Sequence, residues 1–487
     1  MRIIETINEE VLEKTVRRCR ERNIIIPTFA QQKDPSTVPD AVRRRLAHVG
    51  LWDVDPVNLF RITWKNEPVE RGGGFNNGNW IEFPEELTGV PARIVGLIGK
   101  YFPTGSHKVG AGFGCLVPRL VSGGFDPTAQ KAVWPSTGNF CRGGAFDCAL
   151  LACTAVAILP EEMSRERFDW LRTIGAEVIA TPGCESNVKE IYDKCWEIRR
   201  TRPDCVILNQ FEEFGNAIWH YHLTGTIIDE VFRRIGGPRD SLAAYVSATG
   251  SAGTIAAGDF LRTRHPLVKV VATEALQCPT LLQCGFGGHR IEGIGDKHVP
   301  WIHNVRNTDM ICAVDDEQCM ALLRLFNEHG GQKFLQARGV TSEVIGQLPL
   351  LGISSICNLV AAIKAARYYE LGAHDVILTP LTDSMELYQS RVAEQRELHG
   401  PYRDSDAGVH YARYIEGVGI DHMRELNYYD RKVLHNFKYF TWVEQQQRDA
   451  EELRQLWDPD FWTQTFAQAS EWDRLIENFN TRVGLTS

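Results

Sequence analysis

Apolar and polar positions along the chain follow two rhythms, and where the rhythm changes the chain divides into three stretches. Residues 1–84 open with a charged run of helical spacing and end in Gly72-Gly73-Gly74-Phe75-Asn76-Asn77-Gly78-Asn79, whose glycines and asparagines favour loop. Over 85–391, short β-branched runs alternate with 3.6-residue periodicity, the pattern of a parallel sheet covered by helices. One unit shows the logic. Thr154-Ala155-Val156-Ala157-Ile158-Leu159 predicts a strand, Pro160 breaks it, 164–174 predicts a helix, Gly175 stops that helix, and Glu177-Val178-Ile179-Ala180 predicts the next strand. The alternation recurs at 243–247, 269–273 and 376–379. Residues 392–487 form an aromatic and charged extension, with helical spacing and several Trp and Phe from Trp442 to Asn478, expected to be mostly helical and to pack on the core or on a neighbouring subunit.

At 487 residues the chain is long enough for two lobes plus extensions. It is 43% hydrophobic and 24% charged, with no apolar run long enough to cross a bilayer, and Met1-Arg2-Ile3-Ile4-Glu5 lacks the apolar stretch of a secretory signal. A cytoplasmic protein without a membrane partner is expected. The formal charge of −9 argues against a nucleic-acid partner, which needs a basic surface. Thirteen cysteines, odd in number and without a CxxC pair, suit free thiols in a reducing compartment better than disulfides or a metal cage.

Three segments carry candidate chemistry. Thr104-Gly105-Ser106-His107-Lys108-Val109-Gly110-Ala111-Gly112 sets one lysine among small residues, which lets a cofactor ring approach, and a dry pocket favours the neutral amine that a Schiff base requires. A surface lysine before a glycine-rich turn is the alternative. Trp134-Pro135-Ser136-Thr137-Gly138-Asn139-Phe140 follows an apolar run and leads into a Gly- and Ala-rich helix, so its hydroxyls and N–H groups suit a carboxylate, although the segment taken alone reads first as plain N-capping by Ser136 or Thr137. Ala248-Thr249-Gly250-Ser251-Ala252-Gly253-Thr254 lies between a strand and a helix, where glycines let the backbone wrap a phosphate. That loop also admits a nicotinamide oxidoreductase, with Glu274 at the ribose, but Gly250 and Gly253 do not complete a GxGxxG pattern.

In this order the three segments resemble the cysteine synthase and threonine dehydratase family, the fold type II pyridoxal-phosphate enzymes. The resemblance covers roughly 85–391 and extends to Glu85-Glu86-Leu87-Thr88-Gly89-Val90-Pro91-Ala92-Arg93-Ile94, Met163 to Gly175 with Ala176-Glu177, Asn209-Gln210-Phe211, Thr224-Gly225, His289-Arg290-Ile291-Glu292-Gly293-Ile294-Gly295 and Gly352-Ile353-Ser354-Ser355. It implies an α/β, two-lobed fold related to the tryptophan synthase β chain, with N-terminal and helical C-terminal extensions. It implies pyridoxal 5'-phosphate bound as an imine on Lys108, which also shuttles the proton. Asn139 would meet the phenolic oxygen, Ser136, Thr137, Gly138 and Gln210 the substrate carboxylate, and Gly250, Ser251, Ala252, Gly253 and Thr254 the phosphate. Gly293 and Gly295 would line the wall. The implied reaction is α-proton abstraction with β-elimination or β-replacement, through an aminoacrylate, on a serine- or cysteine-like amino acid; a deaminase or racemase is the near alternative. Family habit implies a homodimer.

Four positions depart from the family's usual pattern. His107 precedes the lysine, as in the tryptophan synthase β chain, and is placed at the phosphate by the resemblance, with simple packing as the alternative. Ala252 stands where cysteine synthases usually carry glycine. Asp383 falls at or beside the serine or threonine that faces the pyridine nitrogen, with Thr382 and Ser384 as rival partners and a capping box with Glu386 as the bland reading. Phe140 replaces a small or polar residue, and Cys141 beside it is expected to be a buried bystander.

Overall fold

The computed structural model describes residues 3–136, 138–163, 165–183, 188–294 and 297–485. Its strands, in chain order, are β1 (Trp80–Phe83), β2 (Arg93–Ile98), β3 (Lys131–Pro135), β4 (Thr154–Pro160), β5 (Glu177–Thr181), β6 (Cys205–Ile207), β7 (Ser241–Ala248), β8 (Lys269–Ala275), β9 (Met310–Val314), β10 (Asp375–Leu381) and β11 (Met423–Glu425). They form two sheets. The larger has the order β1-β2-β10-β7-β8-β9-β11 and the smaller β5-β4-β3-β6. Pairings in the smaller sheet are parallel. In the larger sheet only the edges, β1 on β2 and β11 on β9, are antiparallel. The expected α/β fold with two lobes is therefore present.

The unit read from sequence shows why the elements form. Every residue of β4 after Thr154 is buried, as expected for a parallel strand covered on both faces. Helix Arg165–Thr173 follows, and Gly175, at φ +79°, supplies the left-handed turn that stops it before β5. Helices Lys108–Val121 and Asn139–Leu150 pack against each other beside this sheet, nearly all of their residues buried.

Both edge strands of the larger sheet, at 80–83 and 423–425, come from outside 85–391. The C-terminal extension docks by buried aromatic residues and specific hydrogen bonds. Trp442 is fully buried and donates Nε1–H to the Val299 carbonyl at 2.9 Å. Asp473 accepts from the Phe29 N–H at 2.6 Å, and Asn480 bonds both backbone groups of Ile26. No described helix is long and apolar enough to cross a membrane.

Candidate active site

Lys108 is the first residue of helix Lys108–Val121, and its Nζ lies 3.3 Å from Gln210 Oε1 and 3.2 Å from Ser251 Oγ. Asn216 joins the same cluster, its Nδ2 donating to Ser251 Oγ and to the Gln210 carbonyl, both at 3.0 Å. Gln210 Nε2 in turn reaches Ser136 Oγ at 3.4 Å, and Ser136 Oγ accepts the Gly138 N–H at 3.0 Å. The segments that sequence singled out thus converge on one narrow cleft, lined also by Asn139, Phe140, Phe211, Gly250, Gly293 and Ile294. Thr137 and Gly295 lie outside the described residues.

The loop 249–254 joins the end of β7 to helix Ala256–Arg264 and is braced from below. Ser247 Oγ donates to Thr254 Oγ1 at 2.7 Å, and Tyr245 Oη donates to the Thr254 carbonyl at 2.8 Å. A Cβ on Gly253 would fall 2.0 Å from Asn216 Oδ1, so only glycine lets the loop pass this close to the Gln210–Ser251 cluster. Ala252 adopts φ +62°, a left-handed conformation that glycine takes more readily, which is the physical content of that departure.

Asp383, just past β10, is fully buried, and its Oδ2 accepts from Asn139 Nδ2 and from Tyr388 Oη, each at 2.6 Å. It does not cap the turn Met385–Leu387, which begins at Ser384. Burial pushes the Asp383 carboxyl up, while Tyr388, Arg167 and Asn139 favour its ionised form. Beyond Tyr388 the network continues. Arg167 Nη2 donates to Tyr388 Oη at 3.0 Å and Nη1 to Glu292 Oε2 at 2.7 Å, and Glu292 also pairs with Arg391 at 2.5 Å.

His107 packs between Trp64 and His220, with ring centroids at 5.4 and 4.9 Å, and its Nε2 lies 3.3 Å from Thr382 Oγ1. Burial holds its pKa well below the usual imidazole range, so the ring is neutral. Phe140 sits edge-on to Trp134, and the Cys141 thiol, pushed by burial up to about 12, donates to the Gly138 carbonyl. Glu274, which the dinucleotide alternative requires, uses its two oxygens to accept the N–H groups of Leu281 and Leu282, both at 2.8 Å.

Arg167, Asn216 and Tyr388 were not legible as site residues. Arg167 reads as one more charge in a helix, and nothing in the local sequence marks Tyr388. What brings them in is the packing of one lobe on the other.

Residues 100–333 match the family described as pyridoxal-phosphate dependent enzyme. Cysteine synthase of Staphylococcus aureus is 30% identical over 259 residues, which span 53% of this chain and 75% of that protein. The chain belongs to the cysteine synthase family of pyridoxal-phosphate-dependent enzymes. A probable cysteine synthase of Bacillus subtilis is 28% identical over 289 residues, 59% of this chain and 85% of the relative. Among solved structures, cysteine synthase of Entamoeba histolytica shares the fold with a TM-score of 0.56 at 20% identity, covering 69% of this chain and 92% of that one. The O-acetylserine dependent cystathionine beta-synthase of Helicobacter pylori does so with 0.54 at 24% identity, over 64% and 94%.

The side chains present suit this family's cofactor. Asp383 Oδ1 is buried without a hydrogen-bond partner among the described residues, a loss of about 1–3 kcal/mol that a pyridinium N–H would relieve. The loop 249–254 offers the start of a nine-residue helix to a phosphate, and Lys108 supplies the amine for the aldehyde.

Proposed function

We propose that this enzyme acts on an amino acid carrying a leaving group at Cβ, of the serine or cysteine type, by β-replacement or β-elimination, with Lys108 as the residue that anchors the cofactor and moves the α-proton. The observation that carries this reading is the position of Lys108 Nζ, within hydrogen-bond reach of both Ser251, in the phosphate loop, and Gln210, beside Ser136. One amine thus faces a phosphate cradle on one side and a carboxylate cradle on the other. Bound pyridoxal 5'-phosphate would supply an electron sink for charge developing at the substrate α-carbon.

The chain's own groups do the rest. The Ser136 hydroxyl, the Gly138 N–H and the Gln210 amide would orient the substrate carboxylate, which turns the α C–H bond toward Lys108. Lys108 Nζ would take the α-proton as general base and hold it for return. Thr137 is part of the same proposed carboxylate grip. Gly250, Ser251, Ala252, Gly253 and Thr254 would hold the phosphate, Asn139 the phenolic oxygen, and Asp383 the ring nitrogen. A carboxylate at the ring nitrogen, in place of a hydroxyl, would keep it protonated and strengthen the sink. His107 would steady Thr382 and the start of the helix that begins at Lys108. Phe140 and Phe211 narrow the cleft and favour a small side chain.

Further features support a homodimer in a reducing compartment. Each of the twelve described cysteines is a free thiol. Tyr429, Val433 and Phe440 expose 77%, 50% and 62% of their surface on or just after helix Tyr428–Lys438, an apolar stripe suited to a second copy.

The test compares wild type with Lys108→Ala, each loaded with pyridoxal 5'-phosphate. Wild type should show a visible absorbance band and, after borohydride, carry the pyridoxyl group on the peptide containing Lys108. A panel of serine, O-acetylserine, O-phosphoserine, cysteine and threonine should then shift that band for at least one substrate. The pyridoxyl mass on another lysine would defeat the assignment. Pyruvate without added nucleophile would point to elimination, and a new amino acid with sulfide or a thiol to replacement.

A further inference from the structure

Arg167 is fully buried on helix Arg165–Thr173 of the smaller lobe, yet its guanidinium reaches the larger one. The helix that carries it is well anchored. Leu171 is fully buried, and the Trp170 ring lies 5.8 Å from that of Phe146 in helix Asn139–Leu150. The two ends of the guanidinium hold different partners. Nη1 donates to Glu292 Oε2 at 2.7 Å, next to the cleft wall at Gly293, and Nη2 donates to Tyr388 Oη at 3.0 Å. Arginine can only donate, so the Tyr388 oxygen is the acceptor of this bond and its one proton goes to Asp383 Oδ2, 2.6 Å away. Asn139 bonds the same Oδ2.

The same guanidinium backs the loop that enters helix Asn139–Leu150. A Cβ on Gly138 would fall 2.7 Å from Arg167 Cζ and Nη1 and 2.8 Å from Nε, near-equal distances that set the face of the guanidinium against this glycine. Arg167 thus fills the space that a side chain at 138 would need. Gly138 is also at φ +155°, which only glycine takes readily. Its N–H donates to Ser136 Oγ and its carbonyl accepts from the Cys141 thiol, so the peptide is held along the backbone by its neighbours and from behind by Arg167.

We propose that Arg167 is a positioning residue for the reaction, one side chain that holds the loop at Gly138 and the Tyr388–Asp383 pair in register across the cleft. The proposal rests on our reading that Gly138 belongs to the substrate carboxylate grip and Asp383 to the ring nitrogen. The grip stands on one lobe and Asp383 on the other, so the α-carbon meets Lys108 in the right geometry only if the two lobes share a reference point. Arg167 touches both. A lysine there keeps the charge but has neither the planar face that covers Gly138 nor the rigid fork that serves Glu292 and Tyr388 together. Glu292 keeps Arg391 at 2.5 Å when Arg167 is replaced, so no buried carboxylate is stranded and the chain should still fold.

The test uses the full chain loaded with pyridoxal 5'-phosphate. Equilibrium binding of L-alanine, which lacks a β leaving group, is read from cofactor absorbance, and kcat from the substrate that wild type turns over. Arg167→Lys should raise the alanine Kd at least about tenfold, through Gly138, and lower kcat at least about tenfold, through Tyr388. Added to Tyr388→Phe, it should lower kcat by no more than about twofold further, while its effect on alanine stays whole. Arg391→Gln is the control, because that side chain bonds Glu292, Glu394 and the Glu162 carbonyl and so loosens the same junction without holding Gly138 or the Tyr388 hydroxyl. It should leave both values within about twofold of wild type. If Arg167→Lys does not fold, Arg167→Gln carries the same comparison. An active wild type with alanine Kd and kcat unmoved by the Arg167 variant, or equal losses in Arg391→Gln, would overturn the proposal. A wild type that binds no alanine and turns over no substrate would instead defeat the reading of the site itself, and this proposal with it.

Discussion

Asn139 Nδ2 donates to Asp383 Oδ2 across 2.6 Å, tying the first residue of a helix in the smaller lobe to the segment that leaves β10 in the larger sheet. This buried hydrogen bond to a carboxylate helps to latch the two lobes at the cofactor cleft, beside those of Arg167 to Tyr388 and Glu292. Replacing Asp383 by Asn keeps the shape and removes the charge. The expected result is a fall in kcat of about 10- to 100-fold, the loss of one charge-assisted contact, with smaller change in cofactor affinity. Steady-state rates and an absorbance titration of the cofactor check it.

Tyr388 donates its hydroxyl proton to the same carboxylate oxygen, which favours the ionised form. Tyr388→Phe should therefore raise the Asp383 pKa further, since it removes a bond that favours the ionised form. Because the carboxylate is the working form in our reading, the acid limb of the kcat profile should move to higher pH. An unshifted profile would count against Asp383 as the group that titrates.

Gly253 passes so close to Asn216 Oδ1 that a methyl group there has no room. Gly253→Ala should displace the phosphate loop and weaken pyridoxal phosphate by at least about tenfold, equivalent to 1.4 kcal/mol, read from the cofactor absorbance titration. Ala252 has the opposite problem, a side chain at φ +62°. Ala252→Gly should be neutral or stabilising by up to about 1 kcal/mol in urea denaturation of the holoenzyme.

Lys438 is buried, donates to the carbonyls of Trp301 and His303, and is held by burial down to about 7. Its folded pKa lies below its unfolded value, so between pH 7 and 10 the unfolded chain binds the extra proton. Stability from this position rises with pH across that window, by at most about 1.4 kcal/mol per pH unit. Denaturation at several pH values should show this slope in wild type and not in Lys438→Met.

Phe440 is exposed at the end of the aromatic stripe that we assign to a subunit contact. Phe440→Asp should shift a homodimer toward monomer in analytical ultracentrifugation while leaving the fold, by circular dichroism, unchanged. A wild-type chain that sediments as a monomer would remove this assignment.

The sequence by itself determined the alternation of strands and helices, because parallel strands buried on both faces must be apolar and the turns between them need glycine or proline. The strand read at 154–159 and the helix read at 164–174 coincide with β4 and Arg165–Thr173 to within a residue. It also brought out Lys108, Ser136 and the loop 249–254, since short motifs of small and hydroxyl residues leave a local mark, whereas Gln210 came in only through the family resemblance. Only the tertiary structure decided that Asp383 faces Asn139 instead of capping its own turn, and that Tyr388, Arg167 and Glu292 stand behind it. Those contacts join residues as much as 244 positions apart, as Asn139 and Asp383 are. A single charged residue in a helix carries no local sign of a partner in another lobe, and only the packing of lobe on lobe supplies it.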